Sequence, residues 1–80
     1  MQINLMNGSF NKMEALDLIT QIVSTKINFH VSQIGDKLEE DDIKRREQRI
    51  RQLQNELQAV REEILKSDGR VNLNCQILVG

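Results

Sequence analysis

The stretch IKRREQRIRQLQNELQAVREEI, from Ile43 to Ile64, decides the fold. Its large apolar residues are Ile43, Ile50, Leu53, Leu57, Val60 and Ile64. From Ile50 onward they recur at intervals of three, four, three and four, and Ile43 sits one heptad earlier. That is the a/d seam of a two-faced helix, with charged and amide side chains around it. A helix of this kind cannot bury its stripe alone, so it requires a partner surface. Arg46 and Ser67 fall on d positions, which weakens the seam at both ends. The helix is expected over residues 41–67. Asp68-Gly69 closes it, and Lys66 lies in the last turn, where a cation is favoured. Glu47 and Arg51 form an i,i+4 ion pair on its flank, worth only ~0.3–0.5 kcal/mol.

The partner surface lies upstream. Asn11 and Glu14 have the N-cap and N3 spacing of a capping box, and Phe10 can staple against Ala15. A helix is expected over 11–37. At about 100° per residue, Met13, Leu16, Ile19, Val23, Ile27, Val31, Ile34 and Leu38 make one stripe. Ala15, Leu18, Ile22 and Phe29 make a second, adjacent one. A helix with one buried face needs a stripe of only about 100° or somewhat more. Two stripes imply two packing surfaces, one for the second helix and one for a second chain. Between the helices, Gly35 offers a C-cap, and Glu39-Glu40-Asp41-Asp42 suits the positive end of the next helix dipole. A turn is expected within 36–41. A single rod would carry one heptad pattern throughout, whereas here a broad face meets a narrow one, which favours a hairpin.

Both ends alternate. Residues 2–6 place Ile3 and Leu5 on one face, and Asn7-Gly8 reads as the turn that ends the strand. Residues 70–79 place Val71, Leu73, Cys75, Ile77 and Val79 on one face, with Asn72, Asn74 and Gln76 opposite. An antiparallel hairpin returns residue 69 to the neighbourhood of residue 8, so the strands can pair antiparallel, Ile3 and Leu5 sharing a face with Leu73 and Val71. The expected fold is mainly α: a coiled-coil-like antiparallel helical hairpin with terminal strands, β-α-α-β, as one domain over 1–80.

Eighty residues bury only ~60% of their unfolded surface, and chains this short often add disulfides, metals or oligomerisation. A single cysteine excludes an internal disulfide, and no Cys/His cluster has zinc spacing. Oligomerisation is the remaining source of burial. Eleven basic and twelve acidic residues leave no overall pull toward nucleic acid or membrane. No apolar run approaches a membrane span, and no signal-like start is present, so a cytoplasmic location without membrane association is expected.

The chemistry-bearing residues have plain structural readings. His30 lies on the main stripe of the first helix, with no Cys or His at ligand spacing, and reads as a packed core or interface residue. Glu39 to Asp42 lack the Asp-x-Asp-x-Asp-Gly pattern of a calcium loop and read as helix-start acids. Lys44, Arg45, Arg46, Arg49 and Arg51 are the one basic cluster. They spread round the helix beside an acidic run, so a phosphate-binding role ranks behind a solvated face. The helices are too long for a helix–turn–helix reader. Cys75 alternates with apolar residues as a small hydrophobe and has no activating neighbour.

The run Asn7-Gly8-Ser9-Phe10, Glu14-Ala15-Leu16, Ile19 and Lys26-Ile27-Asn28-Phe29-His30, then a charged helix and a C-terminal strand, resembles short bacterial proteins of unknown function. The resemblance implies an intact small domain and assigns no activity. The functional expectation is a non-enzymatic interaction or assembly module without cofactor or metal. It would act as a homodimer in a four-helix arrangement, self-associating through Leu18, Ile22 and Phe29, with His30 at the margin. One alternative is a nucleic-acid-associated regulator using Lys44, Arg45, Arg46 and Arg49. Another is a partner-specific chaperone or anti-regulator.

Overall fold

In a computed structural model, which describes residues 1–35 and 39–80, the order of elements is β1 (Gln2–Phe10), α1 (Lys12–Gln33), α2 (Glu40–Lys66) and β2 (Val71–Leu78). The two strands pair antiparallel in a two-stranded sheet. The β-α-α-β order and the helical hairpin are those expected from the periodicity.

The start of α1 is fixed by the capping box. Asn11 Oδ1 accepts from the Glu14 N–H at 2.8 Å, and the Asn11 N–H donates to Glu14 Oε1 at 3.2 Å. Two orphan donors are satisfied at once, a cap typically worth ~1 kcal/mol. Phe10 packs against the cluster of Ala15, Leu16 and Ile64, as its place just before the cap suggested. The helix ends at Gln33, four residues short of the expected 37, with Ile34 as an extended C-cap whose N–H donates to the Val31 carbonyl at 3.1 Å. Gly35 does not serve as a left-handed cap. Residues 36–38, the first half of the expected 36–41 turn, lie outside the described residues, whereas Glu39 is the N-cap of α2 and Glu40 and Asp41 already belong to it.

Helix α2 runs from Glu40 to Lys66, one residue earlier at each end than expected. Ser67 is its C-cap and donates its N–H to the Ile64 carbonyl at 3.2 Å. Two of the three acids of its first turn pair with its own cations: Glu40 with Lys44 at 3.4 Å and Asp42 with Arg45 at 3.7 Å. Leu53 and Ile64 are buried along the seam, Ile50 and Leu57 are half-buried, and Val60 is 40% exposed at its margin. Polar bonds also cross the hairpin, two of them toward its open end. Arg61 Nη1 donates to Thr20 Oγ1 at 2.6 Å, and Lys12 Nζ donates to the Leu65 carbonyl at 3.3 Å.

The ribbon departs from the sequence reading in two ways. Strand β1 continues to Phe10, through the Asn7-Gly8 pair expected to end it, and Gly8 pairs with Leu73. A turn signal has force when the next strand follows immediately. Here the partner strand arrives from the far end of the chain, and the ladder overrides the local preference. The register also differs. Ile3 pairs with Ile77, and Met6, Gly8 and Phe10 pair with Cys75, Leu73 and Val71. A bulge between Asn4 and Met6 inserts Leu5 and reverses the alternation beyond it. Met6 is therefore buried and Leu5 is 52% exposed.

The core is small and sits where the ribbon meets the helix ends. Ala15, Leu16 and Ile64 form it, with Phe10, Ile19, Val71 and Leu73 against them. The Cα extents are 47 × 32 × 14 Å. Helix α2 alone is about 40 Å long, so the ribbon cannot continue the hairpin end to end and must lie across it. Phe10, Val71 and Leu73, toward one end of the ribbon, pack on the helix core, whereas Ile3, Ile77 and Leu78, toward the other, are exposed. That end projects.

Candidate self-association surface and basic cleft

The second stripe of α1 is placed by the first. Leu16 faces α2, and at about 100° per residue Leu18, Ile22 and Phe29 lie about 120–160° round the helix from it. Leu18 and Ile22 are half-buried and Phe29 is 51% exposed. Lys26 lays its ammonium 5.2 Å from the centre of the Phe29 ring, covering one ring face with a cation. Ala15, at the base of this stripe, belongs to the cluster against which the ribbon residues Phe10, Val71 and Leu73 pack. The stripe and the ribbon therefore adjoin.

The projecting part of the ribbon is the other apolar surface. Ile3, Leu5, Ile77, Leu78 and Val79 are all at least two-fifths exposed. Cys75, expected to be buried in this row, is half-buried and free. Neither strand contains a charged residue, and all 23 Asp, Glu, Lys and Arg side chains lie between Lys12 and Arg70.

His30 belongs elsewhere than the margin of the outer stripe. It faces α2, where Arg46 Nη1 approaches its Nδ1 at 3.4 Å. A guanidinium can only donate, so this contact requires a neutral imidazole with its proton on Nε2. That Nε2 is buried and has no partner among the described residues. Burial, then the charges of Lys26, Arg46 and Arg49, hold the His30 pKa below its ordinary value. The neighbouring Phe29 ring meets the imidazole edge-on, with centroids 5.7 Å apart. Two polar interruptions noted in the sequence, Arg46 on a d position and His30 on the main stripe, thus meet across the seam. Their separate positions on two buried stripes were the signal for this contact.

The basic cluster divides. Arg45, Arg46 and Arg49 line a cleft of about 440 Å³ together with His30 and Asp42. Lys44 is not among its lining residues and pairs with Glu40. Arg49 also reaches Gln52 Oε1 at 2.8 Å and Glu56 at 3.9 Å. No group of three or more His, Cys, Asp or Glu among the described residues has metal-binding geometry. No described helix is long and apolar enough to cross a membrane. Comparison with protein-family models, with curated proteins and with solved structures gave no match.

Proposed function

We propose that this protein is a non-enzymatic self-associating module, a homodimer that buries the outer stripe of α1 and the projecting part of the ribbon. One observation carries the reading. The single chain exposes 6273 Å², against about 5,000 Å² for a compact monomer of its 9.3 kDa mass. The difference is on the order of 1,300 Å², and a standard interface removes about 800 Å² from each partner. Correspondingly, among the described residues no large side chain is fully buried in the single chain. A second copy supplies the missing cover without any new sequence.

Sedimentation equilibrium or light scattering tests this. The expected mass is twice the 9.3 kDa of the chain. A stable monomer at tens of micromolar would sink the homodimer and favour the reading in which Leu18, Ile22 and Phe29 await a different protein. The convergence of Arg45, Arg46 and Arg49 on one cleft favours a second reading, a regulator that contacts nucleic-acid phosphates. A salt-sensitive mobility shift abolished by Arg46→Gln would support it, and no shift at low salt would remove it.

A further inference from the structure

A two-stranded ribbon has two free edges, and neither strand of this one carries the charge or proline that commonly guards an edge. Proteins blunt exposed edges with lysines, prolines, inward charges or very short strands. Here β1 and β2 are nine and eight residues long, without a charge between them and without a proline. An isolated two-stranded ribbon is also marginal in water, and the residues of this one that pack on the helix core, Phe10, Val71 and Leu73, lie toward one end.

The two edges are not equivalent. The β1 edge is broken by the bulge at Leu5. It is also occupied at Ser9, whose carbonyl accepts from Arg70 Nη2 at 2.7 Å while its hydroxyl accepts from Arg70 Nε at 2.8 Å. The β2 edge is regular over its whole length. Val79 donates its N–H to the Met1 carbonyl at 2.7 Å, and its own carbonyl accepts from the Met1 nitrogen at 2.7 Å. Antiparallel pairing alternates bonded and open residues along a strand. If Val79 faces β1, so do Ile77, Cys75, Leu73 and Val71. The N–H and C=O groups of Asn72, Asn74, Gln76 and Leu78 then point away from β1. All four residues are exposed. Among the described residues nothing else bonds their backbone groups.

We infer that two copies of this chain join along their β2 edges, antiparallel, to make one four-stranded sheet with the order β1-β2-β2′-β1′. The inference rests on the self-association reading and assigns the contact that sets its geometry. Pairing β2 with its own copy is isologous and satisfies the open backbone groups in reciprocal pairs about a two-fold axis. Three amide side chains, Asn72, Asn74 and Gln76, lie on one face of that seam, where cross-strand amide pairs form. The occupied, bulged β1 edges become the outer edges, so the assembly closes at two copies and does not grow into a filament.

Amide hydrogen exchange on the full chain, read beside its solution mass, tests the seam. In a lone ribbon the N–H groups of residues 72, 74, 76 and 78 face solvent and exchange fast. In the joined sheet they are protected, by more than about tenfold, and lose that protection on dilution as the mass falls. Asn74→Pro removes a donor that the β1–β2 ladder does not use, and its expected product is a helical monomer. Asn72→Lys with Asn74→Lys leaves the backbone intact, places like charges across the seam, and should also give a monomer. A dimer whose even-numbered β2 amides exchange freely overturns the strand seam and leaves self-association standing. So does a dimer that survives both sets of substitutions. A monomeric wild type overturns both readings, and a species larger than a dimer overturns the closed sheet.

Discussion

His30 shows how a single polar residue on an apolar stripe can be stabilising in one protonation state only. Its Nδ1 accepts from Arg46, and Lys26 and Arg49 add positive potential. A second proton would replace the acceptor with a donor and add a cation to cations. The fold therefore lowers its pKa, first through burial and then through those three charges. The unfolded chain takes up the proton near the ordinary value of 6.5. It binds more protons than the folded chain in the window below that value, so stability falls as pH drops below about 6.5. Urea unfolding at several pH values across that window measures the slope. His30→Gln keeps an acceptor for Arg46 and does not titrate, and its slope over the same range should be close to flat. An unchanged slope in that variant would assign the effect to another group.

Among the elements, α2 shows the sharpest contrast between neighbouring positions. Ile64 is 5% exposed in the cluster with Ala15 and Leu16, whereas Leu65 is 57% exposed one step round the helix. Ile64→Ala should cost about 2–4 kcal/mol, the usual range for emptying a buried aliphatic site. Leu65→Ala should cost no more than about 0.5 kcal/mol. Denaturant midpoints of the two variants give the comparison, and equal losses would mean that α2 is rotated from the position described. The a/d spacing anticipated this contrast, because it places Ile64 on the seam and Leu65 off it. The ribbon behaved differently. Alternation in residues 2–6 put Leu5 on the inner face, but the bulge turned Leu5 outward and Met6 inward. A bulge is chosen by how a strand must meet its partner and the helix beneath it, and five residues of sequence hold no record of either.

At the scale of the whole molecule, the excess surface should make stability depend on concentration. For a dimer that unfolds to monomers, each tenfold dilution removes about 1.4 kcal/mol of apparent stability. It should lower the unfolding temperature by about 4 °C. Calorimetry at two protein concentrations a hundredfold apart reads the difference directly. A midpoint that does not move with concentration would sink the homodimer. In the sequence Leu18, Ile22 and Phe29 read as a second stripe because helical spacing alone shows more apolar arc than one neighbour can cover. The ribbon edge was not legible, since alternation shows which face of a strand is apolar and is silent on which edge is free.

Local periodicity and end chemistry thus determined most of the architecture. The heptads of 43–64, the Asn11–Glu14 box and the alternation of 71–79 concern residues within a few positions of each other, so the sequence states them outright. Tertiary structure decided what depends on distant partners. The passage of β1 through Asn7-Gly8 needed Asn74 and Leu73 to pair with, and the pairing of His30 with Arg46 needed the hairpin to close. The contrast between a blocked β1 edge and an open β2 edge needed Arg70 to fold back onto Ser9. Each is set by competition between groups far apart in the chain, which hydrophobic spacing within any one segment cannot record.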